Sequence, residues 1–157
     1  MNRCFTLLLL AICSVGTPHA QQRLVDEVKK SIATLNPTPD TYRNAAAKLR
    51  PAFTNEATAN KAETWYVGGK VQQGLYDKFM SMKQVGKKPD AKQMGHALIE
   101  AFELYQHALS LDTIYETDKH GQPKINKKTG LRKFRTHYTA DILSRLAEHR
   151  ADFYSVG

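Results

Sequence analysis

The stretch MGHALIEAFELYQHALSL, residues 94–111, decides the fold class. Met94, Ala97, Leu98, Ala101, Phe102, Tyr105, Ala108 and Leu109 recur at steps of three and four, the spacing of one apolar face of an α-helix. Asp90 stands ahead of it as an N-cap, and Gln93 is placed to return a bond to the cap's own N–H. The helix is predicted to end near Leu111-Asp112. Upstream, the loop Gly86-Lys87-Lys88-Pro89 separates it from a long helical pattern over about 57–82, with Trp65, Tyr66, Val71, Leu75, Phe79 and Met80. That pattern also holds Gly68, Gly69 and Gly74, each costing about 1 kcal/mol relative to Ala inside a helix. Close approach of a neighbouring helix would account for them.

Working outward, Leu24, Val25, Val28, Ile32 and Leu35 predict a helix over 22–35, stopped by Asn36-Pro37-Thr38-Pro39-Asp40. A second helix is predicted from Pro39 to Phe53, ended or kinked at Pro51, with a break at Thr54-Asn55-Glu56. Residues 113–136 are polar and basic, with turn signals at Asp118-Lys119-His120-Gly121 and Lys127-Lys128-Thr129-Gly130. They read either as a flexible loop or as a hairpin pairing Gln122–Asn126 with Leu131–Arg135. A last helix is expected over about 138–155, with Ile142, Leu146, His149 and Phe153 on one face. The fold class is therefore all-α, built of antiparallel helical hairpins, with a basic insert before the last helix.

Trp65-x2-Gly68-Gly69 resembles the first helix of a tetratricopeptide repeat, and Ala101-x3-Tyr105-x2-Ala108 resembles the second. Ala45-x3-Leu49-x2-Ala52 is similar to an earlier second helix, and Phe153-x2-Val156-Gly157 to the start of another first helix. With the stretch Ala62-Glu63-Thr64-Trp65-Tyr66-Val67-Gly68-Gly69-Lys70, the pattern resembles repeat proteins exported by Bacteroidetes-type bacteria. The resemblance implies a TPR-like solenoid over 21–157, with an incomplete repeat from about 138. It also implies that small residues at Gly69, Ala101 and Ala108 admit close helix contact, with Trp65 and Tyr105 filling the space between layers. Three departures accompany it. Gly68 stands where the repeat usually has Leu, and Gln72 where it usually has Tyr. Trp65 and Ala101 are also 36 residues apart, against about 16 in a standard repeat. The turn between the two helices is expected to carry the surplus, around 76–92.

Residues 1–20 read as a secretory signal, with Arg3 ahead of the apolar run Phe5–Val15 and a small residue, Ala20, before Gln21-Gln22. Lipoprotein processing at Cys13 is the runner-up. The run is too short for a comfortable membrane span, so no span is expected in the mature chain. The formal charge of the whole chain is +8; losing Arg3 leaves 22 basic against 15 acidic residues, or +7. Cys4 and Cys13 go with the signal, which removes disulfides, thiolate metal sites and thiol catalysis from the mature form.

No GxSxG, P-loop or GxGxxG occurs, and no HxxxH or HExxH pair. His96 and Glu100 share a helix face at i, i+4, and Glu100 and Glu103 neighbour one another; both pairs read as solvated charges. No catalytic residue, metal or cofactor is expected. Stacked helical hairpins make a concave surface, so the expected partner is another protein or peptide in the periplasm or cell envelope. The resemblance places Glu63, Tyr66, Val67, Lys70 and Gln73 along that surface, with Tyr66, Lys70 and Gln73 the candidate partner contacts. The alternative is attachment to an anionic polymer or membrane surface through the basic insert, with Lys127, Lys128, Arg132, Lys133 and Arg135. Export argues against nucleic acid.

Overall fold

The computed structural model describes residues 18–156. The chain is mostly helical. Helix α1 (Pro18–Ile32) is followed by α2 (Pro39–Leu49), a 3-10 turn (Arg50–Phe53) and the short α3 (Glu56–Ala59). Then come the two long helices α4 (Ala62–Gln84) and α5 (Ala91–Leu111), a small β insert, and α6 (Thr139–Glu148) with α7 (Arg150–Val156). The signal segment and Cys13 lie outside the described residues, apart from Pro18–Ala20, which open α1.

Local chemistry sets the boundaries. Thr38 caps α2 through a reciprocal box with Thr41: each backbone N–H is accepted by the other's hydroxyl, and Pro39 takes the first helical position. Pro51 converts the end of α2 into the 3-10 turn, as expected. Leu35 falls beyond α1 and stands fully in solvent, so it does not belong to the apolar stripe predicted for 22–35. The predicted 57–82 helix is broken at Asn60-Lys61. There Thr58 donates to the carbonyl of Ala52 (2.7 Å), Thr64 to that of Thr58 (2.8 Å), and the Trp65 indole N–H to that of Ala59 (2.7 Å). Thr58 and Thr64 are buried, so these bonds satisfy backbone that helix geometry alone would leave unpaired.

α4 packs along α5, and it also touches α1 and α2. α4 and α5 have 23 and 21 residues, joined by the turn 85–90. The surplus expected in the turn is therefore carried by added helical turns instead. At the head of α5, Asp90 accepts the Gln93 N–H (3.0 Å), but the Gln93 amide returns to the Asp90 carboxylate (3.0 Å) and not to the cap's N–H.

The three glycines of α4 are filled by rings. A Cβ at Gly68 would stand 2.7 Å from the Phe53 ring, at Gly69 2.4 Å from Tyr105, and at Gly74 2.3 Å from Tyr42. Each glycine seats an aromatic from a different element, and real Cβ atoms do not approach so closely. Ala101 and Ala108 are buried on α5, as expected. Trp65 differs from its expected place. It is half-buried between Phe53 (ring centroids 4.8 Å) and His107 (3.7 Å), and Tyr105 fills the space over Gly69.

The insert is an ordered β structure. β1 (Ile114–Tyr115) pairs antiparallel with β2 (Phe134–Arg135), and single bridges join Thr117 to Pro123 and Ile125 to Arg132. The predicted pairing of 122–126 with 131–135 is present, and a third segment, 114–118, joins it. Glu116, Lys124 and Lys133 close a backbone triangle through bonds of 2.8–3.0 Å. Both turns place glycine at positive φ, Gly121 at 78° and Gly130 at 71°, a conformation costly for other residues. Asp118 and Asn126 accept backbone N–H groups inside those turns.

The last helix is split at His149 into α6 and α7. Ile142 is buried, and Phe153 is half-buried with its ring edge-on to Phe102 at 5.4 Å. Phe153 is thus packed on α5.

Candidate partner-binding groove

α1, α4 and α6 border a cleft of ≈ 480 Å³, floored by Val67 and Gly74, with the Tyr42 ring filling in over Gly74. Four cations surround it: Lys29 and Lys30 from α1, Lys70 from α4 and Arg145 from α6. Asp77 is the one carboxylate in its lining. Tyr66 stands at the centre of the α6 side. Its hydroxyl donates to Asp141 (2.8 Å), and its ring stacks on Tyr138 (4.5 Å between centroids). Lys70 lies over the same ring, 5.6 Å from its centroid, within reach of a cation–π contact.

The electrostatics follow from partial burial. Burial and the bond to Asp141 push the Tyr66 phenol up to about 12. Burial and nearby Arg145 lower the Lys70 ammonium. Burial raises the Asp77 carboxyl, against the pull of His149. Arg145 holds Asp141 below the usual carboxylate range through a 2.6 Å bond. Lys29 is raised by its bond to Glu63, which also accepts from Gln22 (3.2 Å). Lys30 has no ion pair or hydrogen bond through its side chain among the described residues, and its charge acts on Glu27 of the same helix.

The candidates read from the sequence separate here. Tyr66 and Lys70 line the groove. Gln73 does not reach it: it is 4% exposed, accepts from the Tyr105 hydroxyl (2.7 Å) and Arg145 (3.4 Å), and meets His149 Nε2 at 2.9 Å. A side chain so committed is a structural hub, which corrects its assignment as a partner contact. Val67 is buried, and Glu63 is tied to α1 at the groove's edge.

Lys127, Lys128, Arg132, Lys133 and Arg135 all lie exposed on the insert, and none of them lines the groove. They do not form one face. Arg132 lies over the Tyr115 ring at 4.5 Å, alternation along an extended segment sends Lys133 the other way, and Lys127 and Lys128 occupy the tip of a turn. His96 and Glu100 are exposed on α5. Among the described residues no cluster of three or more metal-ligating side chains forms, and no helix is long and apolar enough to cross a membrane.

No protein-family model, curated protein or solved structure matches the chain.

Sequence reasoning missed two features. Lys29 and Lys30 from α1 and Arg145 from α6 join Lys70 at the groove across 40 to 116 residues of sequence, a juxtaposition no local spacing announces. Asp112 was read only as a helix end. Its carboxylate, 2% exposed, accepts the backbone N–H groups of His137, Tyr138 and Thr139 and the Thr139 hydroxyl, at 2.7–3.1 Å. Asp112 thereby caps α6 from the end of α5. Burial opposes its charge, yet those bonds prevail and hold its pKa below the usual value.

Proposed function

We propose that this chain is a non-catalytic protein-interaction module of the tetratricopeptide-like kind, working in the cell envelope, and that it takes an acidic peptide segment into the α1–α4–α6 groove. The observation that carries the reading is the groove's lining. Three helices that alternate with α2 and α5 along the chain converge on one cleft. They bring Lys29, Lys30, Lys70 and Arg145 there beside the exposed edge of Tyr66. In a stack of helical hairpins the first helix of each pair faces the concave side. α1, α4 and α6 occupy that place if α1–α2 and α4–α5 are successive pairs. A half-buried tyrosine gives a partner contact area at low entropic cost, and partly desolvated cations favour carboxylates.

The test is binding of a fluorescent Asp/Glu-rich peptide to the protein carrying Lys30→Glu and Lys70→Glu. Affinity is expected to fall at least tenfold with no change in the melting curve, and to weaken in wild type as salt rises. Unchanged affinity for the acidic peptide overturns the reading. A second reading, attachment to an anionic polymer or membrane surface, rests on the insert. There Tyr115, Ile125, Leu131 and Phe134 are exposed among basic residues. Loss of binding to anionic vesicles in Lys127→Glu/Lys128→Glu/Lys133→Glu, with peptide binding intact, would favour it.

A further inference from the structure

The backbone triangle of Glu116, Lys124 and Lys133 is a junction from which three short ladders leave: the β1–β2 stem, an arm bridged at Thr117–Pro123 and an arm bridged at Ile125–Arg132. Directly opposite residues of an antiparallel pair share a face, and so do residues two apart along an extended segment. Both rules give the same answer all round the junction. Tyr115, Thr117, Pro123, Ile125, Arg132 and Phe134 fall on one face, and Glu116, Lys124 and Lys133 on the other. Two contacts agree: Arg132 lies over Tyr115, and Lys124 pairs with Glu116 at 3.3 Å. No helix covers the first face: Phe134 is 60%, Tyr115 54% and Ile125 47% exposed. Solubility explains the charges of the insert but not three large apolar groups gathered on one side of it. The charge around that side is of one sign. Residues 114–135 hold seven Lys and Arg against two acids, a net charge of +5. Both acids are engaged, Glu116 by Lys124 and Asp118 by N–H groups of its own turn. Lys119 stands exposed in one turn, and Lys127 and Lys128 in the other. The pair Lys124–Glu116 is the one ion pair the insert holds among the described residues.

We propose that the insert docks the domain on an anionic lipid surface, with Tyr115, Ile125 and Phe134 entering the interfacial layer and the lysines of both turns meeting lipid phosphates. The proposal rests on the second reading given above and narrows it to lipid and to one face. The apolar side decides for lipid over a soluble polyanion, which has no hydrocarbon to receive Ile125 and Phe134. The spread of charge decides for a leaflet over a protein partner. Cations sit at the ends of two separate arms, and a leaflet offers a phosphate beneath each of them. Tyrosine favours the boundary of lipid and water, and Arg132 lays its stem along the apolar side while its head stays among phosphates. None of these residues lines the α1–α4–α6 groove, so docking and peptide capture use different side chains.

The experiment is co-sedimentation with phosphatidylcholine vesicles, with and without phosphatidylglycerol, beside a titration with dextran sulfate as the soluble polyanion. Wild type is expected to bind the vesicles that contain phosphatidylglycerol and not those of phosphatidylcholine alone. Tyr115→Ser/Phe134→Ser should weaken vesicle binding about tenfold or more, while dextran sulfate binding stays within about twofold of wild type. Leu131→Ser removes a comparably exposed apolar side chain from outside the docking face and should change neither. All three positions are exposed, so the melting curves should match that of wild type. Phe134→Trp should keep vesicle binding and show quenching by lipid brominated on its acyl chains. Wild type, whose only tryptophan is Trp65, sets the blank. Binding of dextran sulfate without vesicles keeps the polyanion reading and overturns the lipid proposal, and binding of neither ends both. Vesicle binding that survives Tyr115→Ser/Phe134→Ser, that falls equally in Leu131→Ser, or that leaves Phe134→Trp unquenched overturns the docking face.

Discussion

Where α4 meets Phe53, Tyr105 and Tyr42, the contact is a ring laid on a glycine, made of shape and apolar area. Where α4 and α5 meet α6 and α7, an apolar cluster around Tyr105, Ala108 and Ile142 is joined by a set of polar bonds. Asp112 caps α6, Gln73 joins Tyr105 to His149, and His149 reaches Asp152 at 3.0 Å through its other ring nitrogen. The two regions share Tyr105: its ring face belongs to the first and its hydroxyl to the second. Apolar seats tolerate no added volume but are indifferent to pH. Polar junctions tolerate small changes of volume but depend on every donor keeping its acceptor. The first should behave as the rigid part of the molecule and the second as the part that can be released.

The comparison breaks most visibly at Gly69. Gly69→Val would drive two γ-carbons into a Tyr105 ring that already stands 2.4 Å from a Cβ, and Tyr105 is buried with nowhere to move. The expected loss is about 3 kcal/mol or more, since overpacking exceeds any gain in helix propensity. Urea denaturation followed by the fluorescence of Trp65, the chain's only tryptophan, would measure it. A variant as stable as wild type would mean that ring and glycine are not in contact.

At the polar junction, Asp112→Ala removes the acceptor of three backbone N–H groups and should cost about 2 kcal/mol. Amide exchange should accelerate in α6 and α7 and remain slow in α4. The sign with pH follows from the lowered pKa of Asp112. Its stabilisation is fully present above the unfolded value of about 3.9 and is lost as pH falls through the lower folded value. Wild type and variant should therefore converge in stability in strong acid. A constant difference down to pH 2 would show that Asp112 acts by shape and not by charge.

These two regions were not equally legible. The small-residue positions on α4 and α5 could be read, because helical periodicity is local and a run of glycines inside a helix signals something pressed against it. Which element pressed could not be read. Tyr42 and Phe53 reach α4 from 32 and 15 residues upstream, and the glycines were expected to admit a helix when they admit rings. The polar junction left almost no trace. Asp112 looks like any helix-ending aspartate until Thr139 is folded against it, and Gln73 looks like an exposed groove residue until Tyr105 and His149 surround it. Of the groove, Tyr66 and Lys70 were found because they lie on one helix; Lys29, Lys30 and Arg145 depend on packing.

A smaller effect is expected at Gln73. Gln73→Leu keeps the volume but strands the Tyr105 hydroxyl and takes a partner from His149. It should cost about 1–2 kcal/mol, and exchange should quicken in α7 before α6. Uniform quickening of both helices would make Asp112, and not Gln73, the sole lock of the junction.

The smallest expected effect sharpens the comparison best, because it sits where the groove and the junction meet. Tyr66 gives its hydroxyl to Asp141, which also holds Arg145. Tyr66→Phe removes that bond and leaves Asp141 paired, so no buried group is orphaned, and the cost should be only about 0.5–1 kcal/mol at neutral pH. The pH dependence separates this bond from ordinary packing. In the folded chain the phenol is raised to about 12, from an unfolded value near 10. The neutral phenol is thus the form the fold prefers. Its contribution is complete below about pH 10 and is lost as pH rises through about 12. Tyr76 and Tyr105 are raised as well, so wild type carries a common alkaline loss. The difference between wild type and Tyr66→Phe cancels that background. It should shrink between pH 10 and 12, as Tyr66 ionises, and parallel urea titrations would follow it. A difference that stays flat across this range would place Tyr66 in free solution, and with it would go the edge that the groove offers to a partner.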